Sequence, residues 1–126
     1  MESIKRLKEK LYKIVIEQEK GGLVMDEENV LSSMTIIANS GDARSYAFRA
    51  LEEAKAGNFK EAEEMLNKSQ EAANLAHKAQ TELLVKEANG EKQEINVLLI
   101  HSQDHLMTSM LAVELIKEFI LLYKNK

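Results

Sequence analysis

Two histidines and an aspartate interrupt the otherwise mostly apolar run "LLIHSQDHLMTSM" at residues 98–110. Burying such side chains is costly unless each finds a partner. On a helix His101, Asp104 and His105 stand at i, i+3 and i+4, so His101 adjoins both of the others. Three chemistries fit. The plainest is a pair of interfacial histidines satisfied by a hydrogen-bonded carboxylate. Two imidazoles four apart can also share a metal ion, although one carboxylate lies nearby and no glutamate stands between them as in the protease motif. Lastly, one imidazole can act as a nucleophile while Asp104 serves a separate structural task. Spacing alone does not choose.

The helix that carries these residues is itself informative. At about 100° per residue, Val97, Asp104, Leu111, Leu115 and Leu122 fall within roughly 40° of one another. Asp104 therefore sits on an apolar stripe. Leu98, Leu99, Ile100, Leu106, Met107, Met110, Ile116, Phe119 and Ile120 occupy most of the remaining circumference. A helix apolar on nearly all sides is buried on nearly all sides, and two neighbours in a three-helix monomer cannot cover it. An oligomer is expected, in which this helix packs against its own copies. Met107 and Met110 are expected in the core, although methionine also suits a surface that meets several partners in turn.

The rest of the chain reads as helix around it. Proline is absent from all 126 positions, so nothing interrupts helices by removing a backbone donor. The first long helix is expected from Met25 to about Ala56, broken only at Ser40-Gly41. Those small residues mark a kink or a close helix crossing. A phosphate-cradling loop is not expected from one glycine without the P-loop lysine pattern. Gly57 supplies a left-handed stop, and Asn58 can cap the second helix, from about Phe59 to Ala88. Asn89-Gly90 ends that helix, and a third follows from about Ile95 to Tyr123. Short turns between them give an all-α, antiparallel three-helix bundle.

Composition narrows the function. A net charge of −4 supplies no basic surface for nucleic acid. With no cysteine, disulfides, thiol catalysis and thiolate metal sites are excluded, which fits a reducing cytoplasm. The most apolar window, residues 95–113, contains His101, Asp104 and His105 and is not expected to cross a bilayer unaided. No secretory signal is expected from the charged N-terminus.

Three stretches carry a family resemblance: "NSGDARSYAFRALEEAKAGNF" at 39–59, "AHKAQTELL" at 76–84 and "HSQDHLMTSMLAVELIKEFILLYK" at 101–124. From about Val30 to Lys124 the chain resembles the lactose/cellobiose class of enzyme IIA, the small phosphocarriers of the bacterial sugar phosphotransferase system. "HSQDHLMTSML" is close to that family's H-[AG]-Q-D-H-L-M-T block. The resemblance implies that His101 carries the phosphoryl group, received from the phosphocarrier HPr and passed to the cysteine of a IIB protein or domain. It implies a homotrimeric nine-helix bundle in which Asp104 meets its symmetry copies on the axis around a Mg²⁺-type ion, one per trimer. Three converging carboxylates repel unless they share protons or a cation, and a hard divalent ion with oxygen ligands meets that need. Gln103 and His105 are candidates to orient the ring or donate to phosphoryl oxygens. His77 matches the family's A-H-x-x-Q-T stretch and is expected to cap or pack rather than react. "HLMTSMLA-ELI" looks nearer the cellobiose/chitobiose branch than the lactose branch.

Residues 1–24 lie outside the resemblance. "KLYKIVIEQEK" could add an amphipathic helix to the bundle. Alternatively, Lys20-Gly21-Gly22 can be encoded by AAAGGAGGN, a bacterial ribosome-binding sequence, with Met25 following after two further codons. On that reading the domain proper is 25–126 and the preceding segment is translated upstream sequence. Two rival functions stay open: a helical regulator or adaptor that kept the fold, and a metal-dependent hydrolase using His101, Asp104 and His105. The hydrolase lacks a visible general base and enough ligands within one chain.

Overall fold

The computed structural model describes residues 3–20 and 27–126. The elements are α1 (Ile4–Lys20), α2 (Glu27–Lys55), α3 (Phe59–Ala88) and α4 (Val97–Lys124), with no strand among the described residues. The three long helices expected from the sequence are α2, α3 and α4. The amphipathic N-terminal segment does form a helix, α1, whose Leu11 packs against Val30 and Met34 of α2. Gly21, Gly22 and Met25, on which the upstream-translation reading turns, lie outside the described residues.

Glycine sets both α2–α3 and α3–α4 turns. Gly57 and Gly90 have φ of +85° and +86°, a conformation open to glycine because it has no Cβ. At each, two backbone bonds close the helix. Gly57 N donates to Ala54 O and Asn58 N to Glu53 O, while Gly90 N donates to Glu87 O and Glu91 N to Lys86 O. These are Schellman closures. The expected side-chain cap at Asn58 is absent, because its Nδ2 turns back to donate to Glu53 Oε2 of α2 at 2.9 Å. At α4 the cap is real. Asn96 is extended and its side chain accepts from Leu99 N at 2.8 Å, which starts the helix at Val97, slightly later than expected.

Nor is α2 broken at Ser40-Gly41; it runs through both residues. The small side chains serve a close crossing instead. A Cβ on Gly41 would stand 3.4 Å from His105 Nε2 of α4.

One helix organises the packing: α2 lies against both α3 and α4, whereas α3 and α4 touch only lightly. Its inward positions are an alanine seam, Ala43, Ala47, Ala50 and Ala54, meeting Ala62 and Ala72 of α3 and Val113, Ile116 and Ile120 of α4. Small residues let three helices approach closely where bulky ones would force them apart. A second cluster joins Ile36 of α2, Ala76, Ala79 and Leu83 of α3, and Leu106 of α4, which is 1% exposed. Leu106→Ala is expected to cost about 2–5 kcal/mol, the range for deleting a buried leucine side chain. Urea unfolding at fixed chain concentration measures it.

The stripe predicted on α4 is uncovered in a single chain. Val97 is 82% exposed and Leu122 67%, with Leu111 and Leu115 also open. Met107, expected in the core, is 58% exposed because it lies on this same open side, while Met110 packs against the second cluster.

Candidate functional site

Asn96 fixes where α4 begins and thereby sets His101 in its second turn. Long side chains on a helix lean toward its N-terminus, so His101 points to the end where amide donors and the helix field favour an anion. His101 is exposed. One turn on, the His105 ring lies with its centroid 5.6 Å from that of His101, tilted by 31°.

His105 is enclosed further than its neighbour. Gly41 leaves room for it against α2, and an open groove lined by Arg44, Ser45, Phe48 and Arg49 runs past it. Burial pushes its pKa below the usual histidine value, the positive charges of Arg44 and His101 push the same way, and Asp104 opposes them weakly. A neutral imidazole offers one N–H and one lone pair, which suits a ring that orients another group. Gly41→Ala should raise stability by about 0.5–1 kcal/mol, because it is a mid-helix glycine and 3.4 Å is ordinary contact. Gly41→Val adds methyl groups toward the ring and should lose that gain. Paired thermal melts, with the His105 ring resonances followed by NMR, check both.

Asp104 is exposed on the open stripe. Among the described residues no group of three or more His, Cys, Asp or Glu side chains could hold a metal ion.

Gln103 does not join the two histidines. Two positions from His101, it projects roughly 160° away around the helix, toward α3. There its Oε1 accepts from Gln80 Nε2 at 2.7 Å, and its own Nε2 donates to Ser102 Oγ at 3.3 Å. Gln80 is the residue that sequence reasoning passed over. Its signal was present in "AHKAQTELL", where attention fell on the titratable His77. His77 is exposed on α3, and its carbonyl oxygen accepts from Thr81 Oγ1.

Residues 31–124 match the family described as "PTS system, Lactose/Cellobiose specific IIA subunit". The chain belongs to this family. It is an all-α, sugar-specific IIA component of the phosphotransferase system, a phosphotransferase component by class. It is 48% identical over 99 residues to the lactose-specific EIIA component of Streptococcus mutans, covering 79% of this chain and 95% of that one. It is 50% identical over 92 residues to the N,N'-diacetylchitobiose-specific EIIA component of Escherichia coli, covering 73% and 79%. Among solved structures, the cellobiose-specific enzyme IIA of Bacillus anthracis superposes with a TM-score of 0.77 at 50% identity, covering 82% of this chain and 94% of that one. The IIA(chitobiose) chain solved in complex with HPr gives 0.70 at 45% identity, covering 79% and 96%. Among the described residues of this IIA chain, no helix is long and apolar enough to cross a membrane.

Proposed function

We propose that His101 is the phosphorylated residue, loaded by HPr and unloaded onto the cysteine of a cognate IIB protein. The observation that carries this reading is an exposed imidazole, early in a side-chain-capped helix, paired at 5.6 Å with a second ring for which Gly41 leaves room against α2. The relative solved with HPr supports the choice of donor. In loading, a lone pair on the His101 ring attacks phosphorus as the donor's P–N bond breaks. In unloading, the IIB thiolate attacks and the imidazole leaves. Phosphoryl transfer of this kind depends on positioning and electrostatics, and His105 is assigned to orient the ring or the phosphoryl oxygens.

The open stripe supports a homotrimer in which each α4 turns Asp104 to a common axis, making nine helices from α2–α4 of three chains. The donor set fits a hard cation, since three carboxylates would present oxygen ligands alone. Mg²⁺ held by the three copies of Asp104 would offset two of their three negative charges, a structural task. His101 and Gln103 lie on opposite margins of the open side of α4. In a cyclic arrangement, one chain's margin faces the other margin of the next. Gln103 is therefore assigned to the partner subunit's His101 as a donor to its phosphoryl oxygens.

The cellobiose/chitobiose branch is favoured over lactose by the "HLMTSMLA-ELI" stretch. A relay fed by phosphoenolpyruvate is cytoplasmic chemistry, and we assign the chain there. Incubating wild type and His101→Ala with phosphoenolpyruvate, enzyme I and HPr tests the proposal. Wild type should gain one acid-labile phosphoryl group per chain and the variant none. An unmodified wild type would favour a regulator that kept the fold, and equal labelling of both would move the carrier elsewhere.

A further inference from the structure

We infer that Gln80 is a positioning residue: it fixes which end of the Gln103 amide is turned to the phosphoryl group. The inference rests on the reading of Gln103 given above. It comes from following hydrogen-bond polarity along a chain of contacts between α3 and α4. Ser102 is fully buried and its hydroxyl hydrogen goes to Leu99 O at 2.6 Å. A hydroxyl has one hydrogen, so Ser102 Oγ can only accept from Gln103. The end of Gln103 nearest Ser102 must then be its NH₂, and the end turned to α3 must be its oxygen. That oxygen needs a donor, and Gln80 Nε2 supplies it at 2.7 Å.

The relay is thus directional, anchored at one backbone carbonyl, and each amide orientation follows from the one before it. Gln103 Nε2 keeps a second hydrogen to offer. Without Gln80 only the long 3.3 Å bond to Ser102 Oγ would hold the Gln103 amide, too weak to keep it from turning over and presenting its oxygen to a dianion. A glutamate at position 80 would do worse, since oxygen would face oxygen across α3 and α4 and the Gln103 amide would be driven round. This gives the glutamine of "AHKAQTELL" a task that its histidine lacks.

The test uses the full-length chain, with HPr loaded by phosphoenolpyruvate and enzyme I as donor. Gln80→Met keeps length and helix propensity without the donor; Gln80→Glu reverses the polarity. Loading at saturating HPr should slow about threefold in Gln80→Met and at least tenfold in Gln80→Glu, the order expected for one misdirected donor beside an anion. KM for HPr and assembled size should not change. A merely structural role would instead lower assembly and leave the rate per assembled site alone. In wild type, the two Gln103 side-chain amide protons should be well separated in an ¹⁵N-resolved spectrum, one exchanging slowly with water. Rates within twofold of wild type for both variants, or a freely turning Gln103 amide, overturn the inference. Gln103→Ala separates the layers. If it is slow while both Gln80 variants are normal, Gln80 alone has been misread, and if it loads normally, the reading of Gln103 falls with it.

Discussion

Assemblies mixed from His101→Ala and Gln103→Ala subunits are expected to load phosphoryl groups faster than either variant alone. His101→Ala lacks the proposed acceptor nitrogen, so by itself it should stay unlabelled. Gln103→Ala keeps the ring but loses one donor to the phosphoryl oxygens, a loss expected to slow loading about 10- to 100-fold. Gln103 is turned to α3, on the margin of α4 away from its own His101, and on the proposed assembly each complete site would draw its ring from one chain and its amide from the next. Random mixing of equal parts then leaves about one site in four with both groups in a closed ring of three. These sites should appear as a fast phase with the wild-type rate constant. If both groups served the same chain, no mixed assembly could contain a complete site. A mixture no faster than Gln103→Ala by itself would therefore rule out the shared site, whatever the fate of His101.

Removal of the divalent ion proposed at Asp104 is expected to have the second large effect. Unit charges 4 Å apart repel by about 1 kcal/mol in water and about 4 kcal/mol at an effective dielectric of 20. Three copies of Asp104 make three such pairs, enough to loosen an assembly held by the Val97, Leu111, Leu115 and Leu122 stripe. Wild type should bind one ion per three chains and become less stable by several kcal/mol on chelation at low salt. Asp104→Asn carries no charge to neutralise. It should bind no ion, ignore the chelator and still accept a phosphoryl group at His101. Elemental analysis, and sedimentation with and without chelator, measure this. Equal chelator sensitivity in variant and wild type would sink the assignment of Asp104.

Much of the fold was legible because its punctuation is chemical. Gly57 and Gly90 end helices because φ near +85° suits glycine, and nothing else in a proline-free chain competes with that signal. Capping was less legible. Asn58 and Asn96 are the same residue in similar settings, yet the side chain of Asn96 caps and that of Asn58 reaches Glu53. Which of the two happens depends on backbone angles that composition does not carry. Ser40-Gly41 read as a break because glycine weakens isolated helices, but packing against His105 overrides a weak local preference. At the site, titratable residues drew attention and Gln80 did not, since an amide has no charge to account for. Met107 is open in the single chain, and an apolar side chain on a wheel has no label saying whether its own chain or another will cover it.

The light contact between α3 and α4 has a consequence for how the molecule comes apart. With α2 as the common hub, the outer helices hold each other through little more than the Gln80–Gln103 and Lys117–Gln70 hydrogen bonds and the packing of Leu106, so loosening α2 loosens both at once. The amides at the middle of α2 should open only when everything opens, and those of α1, tied at its rim, should open first. A chain built as spokes on one axle gains little from strengthening either spoke alone.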